Sequence, residues 1–289
     1  MDFKIISPLY ECHGHIMMDG DNFSAARDRH TGQIDTEAVH RELQALKKSG
    51  VVYFRDGGDA LGVSAFAKKI APEYGIRYAT PLFAIHRNGH YGGIVGRGYS
   101  DLQEYRELVK TIRDGGGGFV KIMISGIITF QQYGGLSCPS LDGSEIRDLV
   151  NIAHDAGFPV MIHVNGDAAV RAAVLAGADS IEHGAFMEEE TVKMLADSKT
   201  FWVPTAAAIA AFTGRDGIDR TAAEKTLAHH LHCIGLAAAL GARIASGSDS
   251  GAVGVPHGAG TIMEYRLLRE AGVTEPYLEQ GNRTLAEIF

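Results

Sequence analysis

The chain has 289 residues and a net charge of −8 at pH 7, with 45% hydrophobic and 21% charged residues. This composition is typical of a globular protein, and its acidic balance argues against a nucleic-acid-binding protein, which is usually basic. The cysteines Cys12, Cys138 and Cys233 form no C-x-x-C pair, which favours a reducing compartment over a disulfide scaffold. The N terminus lacks the apolar core of a signal peptide, and no apolar run reaches transmembrane length. We therefore expect a soluble cytoplasmic protein.

Short apolar runs alternate with amphipathic segments along the chain. The predicted strands are, in order, 8–12, 51–54, 76–82, 119–124, 159–162, 179–182, 201–203 and 244–245. The predicted helices are 36–49, 61–74, 100–113, 142–156, 167–176, 188–198, 221–240 and 261–271. Residues 83–99, rich in His, Arg and Gly, are predicted to form a loop. Ser100 with Gln103 and Asp142 with Glu145 have the spacing of capping boxes.

Eight strands alternating with eight helices predict an α/β fold, a (β/α)8 TIM-type barrel of parallel strands, as a single domain over residues 1–289. An open doubly wound sheet is the alternative, and it would leave the first and eighth strands far apart. The glycine run 115–118 precedes a strand rather than a helix N terminus. We therefore interpret it as a turn and not as a phosphate-binding loop.

The segment 159–184, PVMIHVNGDAAVRAAVLAGADSIEHG, has the pattern of one βαβ unit. A strand ends at His163, a helix follows and stops at Gly177, and the next strand ends at His183. Because the two strands of such a unit run parallel, both imidazoles emerge at the carboxyl end of the sheet. That end is where α/β folds place their binding sites, so the pair indicates a metal site.

Other polar residues occur at the ends of predicted strands. His13 and His15 follow the first strand two residues apart, so their side chains point the same way on an extended chain. Lys121 interrupts the apolar run of the fourth strand, and Asp249 follows the eighth. Taken singly, each has an ordinary structural explanation: a surface histidine pair, a lysine directed outward, and a turn residue. A barrel would gather all of these strand ends into one ring.

In this constellation the chain resembles the amidohydrolase superfamily, in particular its imidazolonepropionase and prolidase-like branch, over nearly the whole length. The segments that carry the resemblance are ECHGH, GVVYFRDGG, GFVKIMISG, the βαβ unit quoted above, FWVPT and GSDSGAVGVPHG. Members of that branch usually carry flanking segments that form a small β-sandwich. Here the first strand begins near residue 1 and the chain ends soon after the eighth, so we expect the sandwich to be absent or minimal.

The resemblance implies one or two divalent metal ions, with zinc as the expected metal because imidazole and carboxylate ligands suit it. The implied ligands are His13, His15, Lys121, His163, His183 and Asp249. In the family the first pair binds the more buried ion, and the lysine is often carboxylated by carbon dioxide and bridges two ions. The strand-five and strand-six histidines hold the more exposed ion. Asp249 is the implied catalytic base, which takes a proton from a water whose pKa the metal lowers to about 7.

The predicted function is therefore cleavage of an amide, peptide or cyclic amide C–N bond of a small-molecule substrate by metal-activated water. The candidate substrate-binding residues are His86, Arg87, Tyr133, Asn165 and His257. An Arg or Tyr among them could bind a substrate carboxylate, although a solvated loop position is an equal alternative for each. The helical histidines His154, His229, His230 and His232 are predicted to lie at the surface.

Two other functions remain open from the sequence. Lys121 could act as the nucleophile of a Schiff-base aldolase if it is desolvated in an apolar core, but that leaves four histidines and Asp249 unexplained. The chain could also be a non-catalytic metal-binding protein. Assembly into a homo-oligomer is compatible with the sequence, whereas no nucleic-acid or membrane partner is expected.

Overall fold

The structure is a computed structural model and describes residues 8–289. Residues 1–7, for which we predict no signal peptide, lie outside the described residues. The described strands pair in parallel, in two sheets. The first sheet has the order β1 (Leu9–Gly14), β2 (Val51–Asp56), β3 (Arg77–Ala79). The second has the order β5 (Gly96–Tyr99), β4 (Ala84–Arg87), β6 (Val120–Met123), β7 (Val160–Val164), β8 (Ser180–His183), β9 (Phe201–Val203).

Helices surround these sheets. They are α1 (Phe23–Arg29), α2 (Thr36–Lys48), α3 (Val63–Ile70), α4 (Leu102–Asp114), α5 (Gly143–Asp155), α6 (Asp167–Leu175), α7 (Glu189–Ala196), α8 (Ala206–Ala210), α9 (Arg220–Ala239), α10 (Ala259–Glu270) and α11 (Glu275–Ile288). Within residues 8–289, no helix has the length and apolar character needed to cross a membrane.

Residues 244–250 close the two sheets into a barrel. On one side of this closing segment, the Ala245 N–H donates to the Trp202 carbonyl of β9 at 3.0 Å. On its other side, the Cys12 N–H of β1 donates to the Ser246 carbonyl at 2.8 Å. At the second junction, the Gly118 N–H donates to the Thr80 carbonyl at 2.9 Å. The predicted (β/α)8 barrel is confirmed, and all nine strands of the described residues belong to its parallel sheets.

The third barrel strand differs from its prediction. A single strand was predicted over residues 76–82 and a loop over residues 83–99. β3 instead ends at Ala79, and β4 begins at Ala84 after a bend in which Leu82 has a φ of 69°. β3 pairs with β2, whereas β4 pairs with β6, so the bend redirects one strand from one neighbour to the other. The predicted loop thus contains two strands, β4 and β5, and β5 pairs in parallel with the outer edge of β4.

The first predicted capping box is displaced by one residue. Asp101 caps α4 by accepting from the N–H groups of Gln103 and Glu104, and Glu104 in turn accepts from the N–H of Ser100. Only half of the second box forms: the Asp142 carboxylate accepts from the N–H of Glu145 at the start of α5, whereas the Glu145 carboxylate accepts from Arg87 and Tyr99 instead.

The apolar core has two main layers. Inside the barrel, below its carboxyl end, a cluster combines Cys12, Tyr53, Phe119, Met161, Phe201 and Val203, all nearly or fully buried. Between barrel and helices, a larger cluster joins the outward faces of β6 to β8 to the inner faces of α4 to α7. The prediction of a surface His230 is wrong: this residue of α9 is 1% exposed, and its Nε2–H donates to the Pro204 carbonyl at 2.9 Å.

Candidate active site

Four titratable side chains converge at the carboxyl ends of β1, β6 and the closing segment. The Lys121 Nζ lies 3.3 Å from the His13 Nε2 and 3.4 Å from the His15 Nε2. The Asp249 Oδ1 lies 3.5 Å and 3.6 Å from the same two nitrogens. Both imidazoles therefore present Nε2 to one small space that the lysine and the aspartate share.

Buried charges behind this space orient His13. Its Nδ1 lies 2.6 Å from Glu182 Oε2, and the Arg55 guanidinium donates to both oxygens of Glu182, at 2.8 and 3.0 Å. Burial raises the pKa of the Glu182 carboxyl, and the Arg55 charge opposes that shift. A carboxylate accepts hydrogen bonds, so Nδ1 of His13 carries the proton. The lone pair of Nε2 is then directed into the shared space.

Two further imidazoles, of His163 and His183, reach the same space, and His183 does so through an unusual backbone conformation. The His183 ring centroid lies 4.9 Å from that of His13 and 4.6 Å from that of His163. In a regular strand His183 would face away from its neighbour Glu182. Its φ of 68°, uncommon for a residue with a side chain, lets both consecutive side chains enter the barrel. The Thr205 Oγ1 lies 2.7 Å from the His183 Nδ1, so Nδ1 is engaged by this contact and Nε2 is the ring nitrogen that remains for a metal ion.

Burial sets the protonation states of these groups. It lowers the pKa of every one of the four imidazoles, and the nearby Lys121 charge contributes in the same direction; for His163 the pKa falls to about 3. Burial also lowers the pKa of Lys121 to about 8 and raises the pKa of Asp249 to about 6. At neutral pH the imidazoles are therefore uncharged, the state in which they bind metal ions.

This donor set fits a divalent metal ion. Ligand atoms of His13, His15 and Asp249 all lie within 4.8 Å of one another. The two closest imidazole–carboxylate separations, 3.5 and 3.6 Å, approach the roughly 3.4 Å expected between tetrahedral ligands at bond lengths of 2.0–2.2 Å. The backbone also leaves room, because a Cβ on Gly57 would lie 2.1 Å from the His15 ring and 2.5 Å from Lys121 Nζ.

A cavity of about 310 Å³ opens over this cluster. Five of the candidate ligands line it, namely His15, Lys121, His163, His183 and Asp249. Most of the remaining wall is apolar and comes from α1, the loops after β4 and β6, and the segment 204–212. The volume lies at the lower end of the usual range for ligand pockets, about 300–1,000 Å³, so the cavity suits a small molecule.

Residues 9–281 match the model of the amidohydrolase family. The chain belongs to this family. It is therefore a hydrolase, and its barrel is the family's fold.

Solved structures agree with this fold. The chain is similar to a Xaa-Pro dipeptidase with bound methionine in the active site, at 22% identity over 97% of this chain and 75% of that one, with a TM-score of 0.76. It is also similar to ochratoxinase from A. niger, at 20% identity over 95% and 68%, with a TM-score of 0.75. For molinate hydrolase the identity is 16% over 97% and 73%, with a TM-score of 0.69. At such identities the likeness concerns the fold alone. No protein with curated annotation matches the sequence.

In this amidohydrolase the six predicted metal ligands border one space. The five predicted substrate-binding residues do not lie together, and only one of them lines the cavity. Asn165 lines the cavity, and its side chain bridges the Gly126 carbonyl and the Ala185 N–H. The structure does not bring the other four to the cavity. They are His86, Arg87, Tyr133 and His257.

Each of these four has other contacts that explain its position. Arg87 forms an ion pair with Glu145 at 2.7 Å, and the His86 Nδ1 lies 3.0 Å from the Arg87 carbonyl. Tyr133 is 37% exposed and lies beneath the Lys225 ammonium, 4.2 Å from its ring centroid. Both ring nitrogens of His257 contact protein oxygens, Nδ1 at Ser250 Oγ and Nε2 at the Met18 carbonyl.

Sequence reasoning missed the residues that orient the cluster. Glu182 ends the predicted strand 179–182 and Arg55 directly follows the predicted strand 51–54. An acid and a base at the ends of two strands expected to be buried are the signal that could have paired them. Gly57 follows β2 directly, and its clearance from His15 becomes evident only in three dimensions. Thr205 has a φ of 52°, which no sequence pattern at this position indicates.

Proposed function

We propose that this amidohydrolase is a metal-dependent hydrolase that cleaves an amide-type C–N bond of a small molecule. The observation that carries the proposal is the convergence of four neutral imidazoles, one lysine and one carboxylate at the inner end of a cavity. A set of unprotonated nitrogen and oxygen donors that faces a substrate-sized opening is the arrangement of a catalytic metal site.

The residues that would hold one or two ions are His13, His15, Lys121, His163, His183 and Asp249. A divalent cation bound there would supply Lewis acidity toward the substrate carbonyl and would lower the pKa of water. Zinc is the metal we propose, because imidazole and carboxylate donors suit it. The protein orients the donors: Glu182 holds the His13 Nδ1–H, and Thr205 contacts the His183 Nδ1.

Asp249 is the proposed general base. Its Oδ1 lies beside the ligand nitrogens of β1, and the carboxylate lines the cavity, so it is in reach of both a water and a substrate. In the reaction, a water oxygen forms a bond to the carbonyl carbon as Asp249 accepts one of its protons. The C–N bond then breaks, and Asp249 returns the proton to the leaving nitrogen.

Lys121 is proposed to react with carbon dioxide. Its Nζ is buried, and a pKa lowered to about 8 leaves a fraction of neutral amine near neutral pH. The amine would form an N–C bond with carbon dioxide and release a proton, which converts a buried cation into an anion with two oxygen donors. Such a group suits the space between two imidazole Nε2 atoms better than an ammonium does.

The proposal is tested by metal content and activity together. We expect the purified protein to carry one or two equivalents of a divalent metal, to lose amidase activity on chelation, and to regain it on reconstitution. The double variant His13→Ala/His15→Ala should lose one equivalent. His154→Ala is the matched control, because that histidine is at the surface, where it contacts Asp179. A metal-free wild type that hydrolyses amides would refute the proposal. Borohydride trapping of substrate on Lys121 would support the aldolase instead.

A further inference from the structure

The side wall of the cavity is apolar, whereas its inner end carries the polar candidate ligands. Away from the candidate ligands it consists mainly of apolar side chains, among them Met18, Ile94, Phe130, Ile209, Phe212 and Val253. Phe130 and Phe212 stack with their ring centroids 4.7 Å apart and thereby join the loop after β6 to the segment after α8. The wall is therefore built as an apolar sleeve from separate parts of the barrel's carboxyl end.

Polar groups in the sleeve are few, and they are uncharged: Asn165, Thr205 and Tyr91, whose ring centroid lies 5.2 Å from that of His163. The amide of Asn165 bonds to the Gly126 carbonyl and the Ala185 N–H, and Thr205 Oγ1 contacts His183. Among the described residues that line the cavity, the only lysine or arginine is Lys121, which lies between His13 and His15 at the inner end. The sleeve thus offers no cation to a negatively charged substrate group.

Cations in the neighbouring loops are held elsewhere. Arg87 is paired with the Glu145 carboxylate, and the Arg97 guanidinium lies 4.2 Å above the ring of Phe83. The buried His257 contacts Ser250 and the Met18 carbonyl, outside the cavity lining. Binding of a substrate carboxylate by Arg87, Arg97 or His257 would therefore require an existing contact of that residue to break.

We infer that the substrate of this site is a small uncharged molecule whose group beyond the scissile bond is apolar, such as an alkyl or aryl amide, rather than an amino-acid derivative with a free carboxylate. The inference rests on the proposed hydrolytic function, to which it adds the substrate class. An anionic group in the sleeve would lose its hydration without gaining a cation as partner, whereas an alkyl or aryl group would be transferred from water to an apolar surface.

Binding of matched uncleavable probes tests the inference independently of turnover. The probes are aryl ketones in which CH₂ replaces the amide nitrogen, with either a 4-isopropyl or a 4-sulfonate substituent. These substituents are similar in shape, and sulfonate coordinates metals weakly. By calorimetry on the metal-loaded protein, we expect the isopropyl probe to bind at least about tenfold more tightly. Equal or tighter binding of the sulfonate probe would overturn the inference.

Rim variants show whether the missing cation causes the selectivity. Ile127 and Phe23 line the cavity but are 40% and 38% exposed, so an arginine there remains solvated. We expect either Ile127→Arg or Phe23→Arg to improve sulfonate binding by about tenfold. Leu175→Arg is the control, because this residue of α6 is 71% exposed and outside the cavity lining. A sulfonate affinity that neither rim variant changes would also overturn the inference.

The corresponding amides separate the two proposals. Hydrolysis of the isopropyl anilide with little hydrolysis of the sulfonate anilide supports both the function and the substrate class. If the isopropyl ketone binds selectively but no amide is hydrolysed, the proposed function fails while the inference about the sleeve stands. If the sulfonate anilide is the better substrate, the function stands and the inference fails.

Discussion

At the scale of single residues, Asp249 combines features that a turn residue alone does not need. Its φ of 61° lies in the left-handed region, where a residue with a side chain is uncommon. The Asp249 N–H donates to the His13 carbonyl at 2.8 Å, which ties this conformation to β1 and directs the carboxylate toward the ligand nitrogens. Strain of this kind persists only where the surroundings enforce it, and it accumulates at functional sites.

Replacement of this carboxylate by an amide should abolish base catalysis and keep the fold. We expect Asp249→Asn to lower kcat by at least about 10²-fold, because an amide cannot accept a proton from water at neutral pH. Metal content and the circular dichroism spectrum should remain close to those of the wild type. Asp219→Asn is the control, since Asp219 caps α9 at the surface and an asparagine caps equally well. A kcat within about tenfold of wild type, with metal retained, would assign Asp249 to the turn.

Lys121 provides a second residue-scale prediction, which depends on carbon dioxide. Metal-stripped, carbon-dioxide-free protein should regain activity with zinc only when bicarbonate is added. With ¹³C-bicarbonate, a carbamate resonance should appear in the wild type. It should be absent from Lys121→Ala, whose activity short carboxylic acids should partly restore. Full activity of Lys121→Met, or reconstitution that is indifferent to bicarbonate, would show that activity does not depend on a carbamate at Lys121.

At the scale of elements, the sequence predicts where a strand lies along the chain better than which strands it pairs with. The apolar runs of β6 and β7 were located almost to the residue, because strands buried on both faces are nearly continuous in apolar character. The bend at Leu82 was missed because a leucine does not indicate a positive φ, and pairing with two different neighbours leaves no trace in the local pattern. The positive φ of His183 likewise leaves no trace in the sequence: with the regular alternation of side chains along a strand, His183 would point away from the site.

Helix α10 contributes a buried carboxylate that makes stability depend on pH. Glu264 Oε2 accepts from the Ala207 N–H of α8 at 2.7 Å, and its Oε1 has no hydrogen-bond partner among the described residues. Burial raises the pKa of Glu264 from 4.5 to about 8. Between these values the folded protein holds a proton that the unfolded chain has lost, so the free energy of unfolding falls as pH rises from about 4.5 to 8 and levels off above.

Glu264→Gln removes this ionisation and keeps a carbonyl acceptor for the Ala207 N–H. We therefore expect the thermal midpoint of the wild type to fall more steeply between pH 5 and 8.5 than that of the variant, as measured by calorimetry in matched buffers. Other titrating groups are common to both proteins and cancel in the comparison. Glu270→Gln, an exposed position in the same helix, should behave like the wild type. Parallel pH profiles for wild type and Glu264→Gln would contradict the assigned pKa.

At the scale of the whole molecule, the candidate ligands connect parts of the barrel that are distant in sequence. They come from β1, β6, β7, β8 and the closing segment, so a bound ion would join both sides of the seam at which the barrel closes. The ring itself was predictable, because the carboxyl ends of parallel strands meet at one end of a barrel. The apolar sleeve was not predictable, because it depends on which loop side chains turn inward.

Removal of the metal should therefore destabilise the entire barrel and not only the site. A ligand at about 100 times its dissociation constant stabilises the folded state by about 2.7 kcal/mol. In large domains the thermal midpoint changes by roughly 2–4 °C for each kcal/mol of stability. We therefore expect chelation to lower the thermal midpoint by about 5–10 °C. The midpoint of His13→Ala/His15→Ala should already be lower and should fall less on chelation, whereas His154→Ala should respond like the wild type. If calorimetry gave the same midpoint for the metal-loaded and the stripped wild type, the ion would not be coupled to folding, and the ring of ligands would not span the seam as we describe.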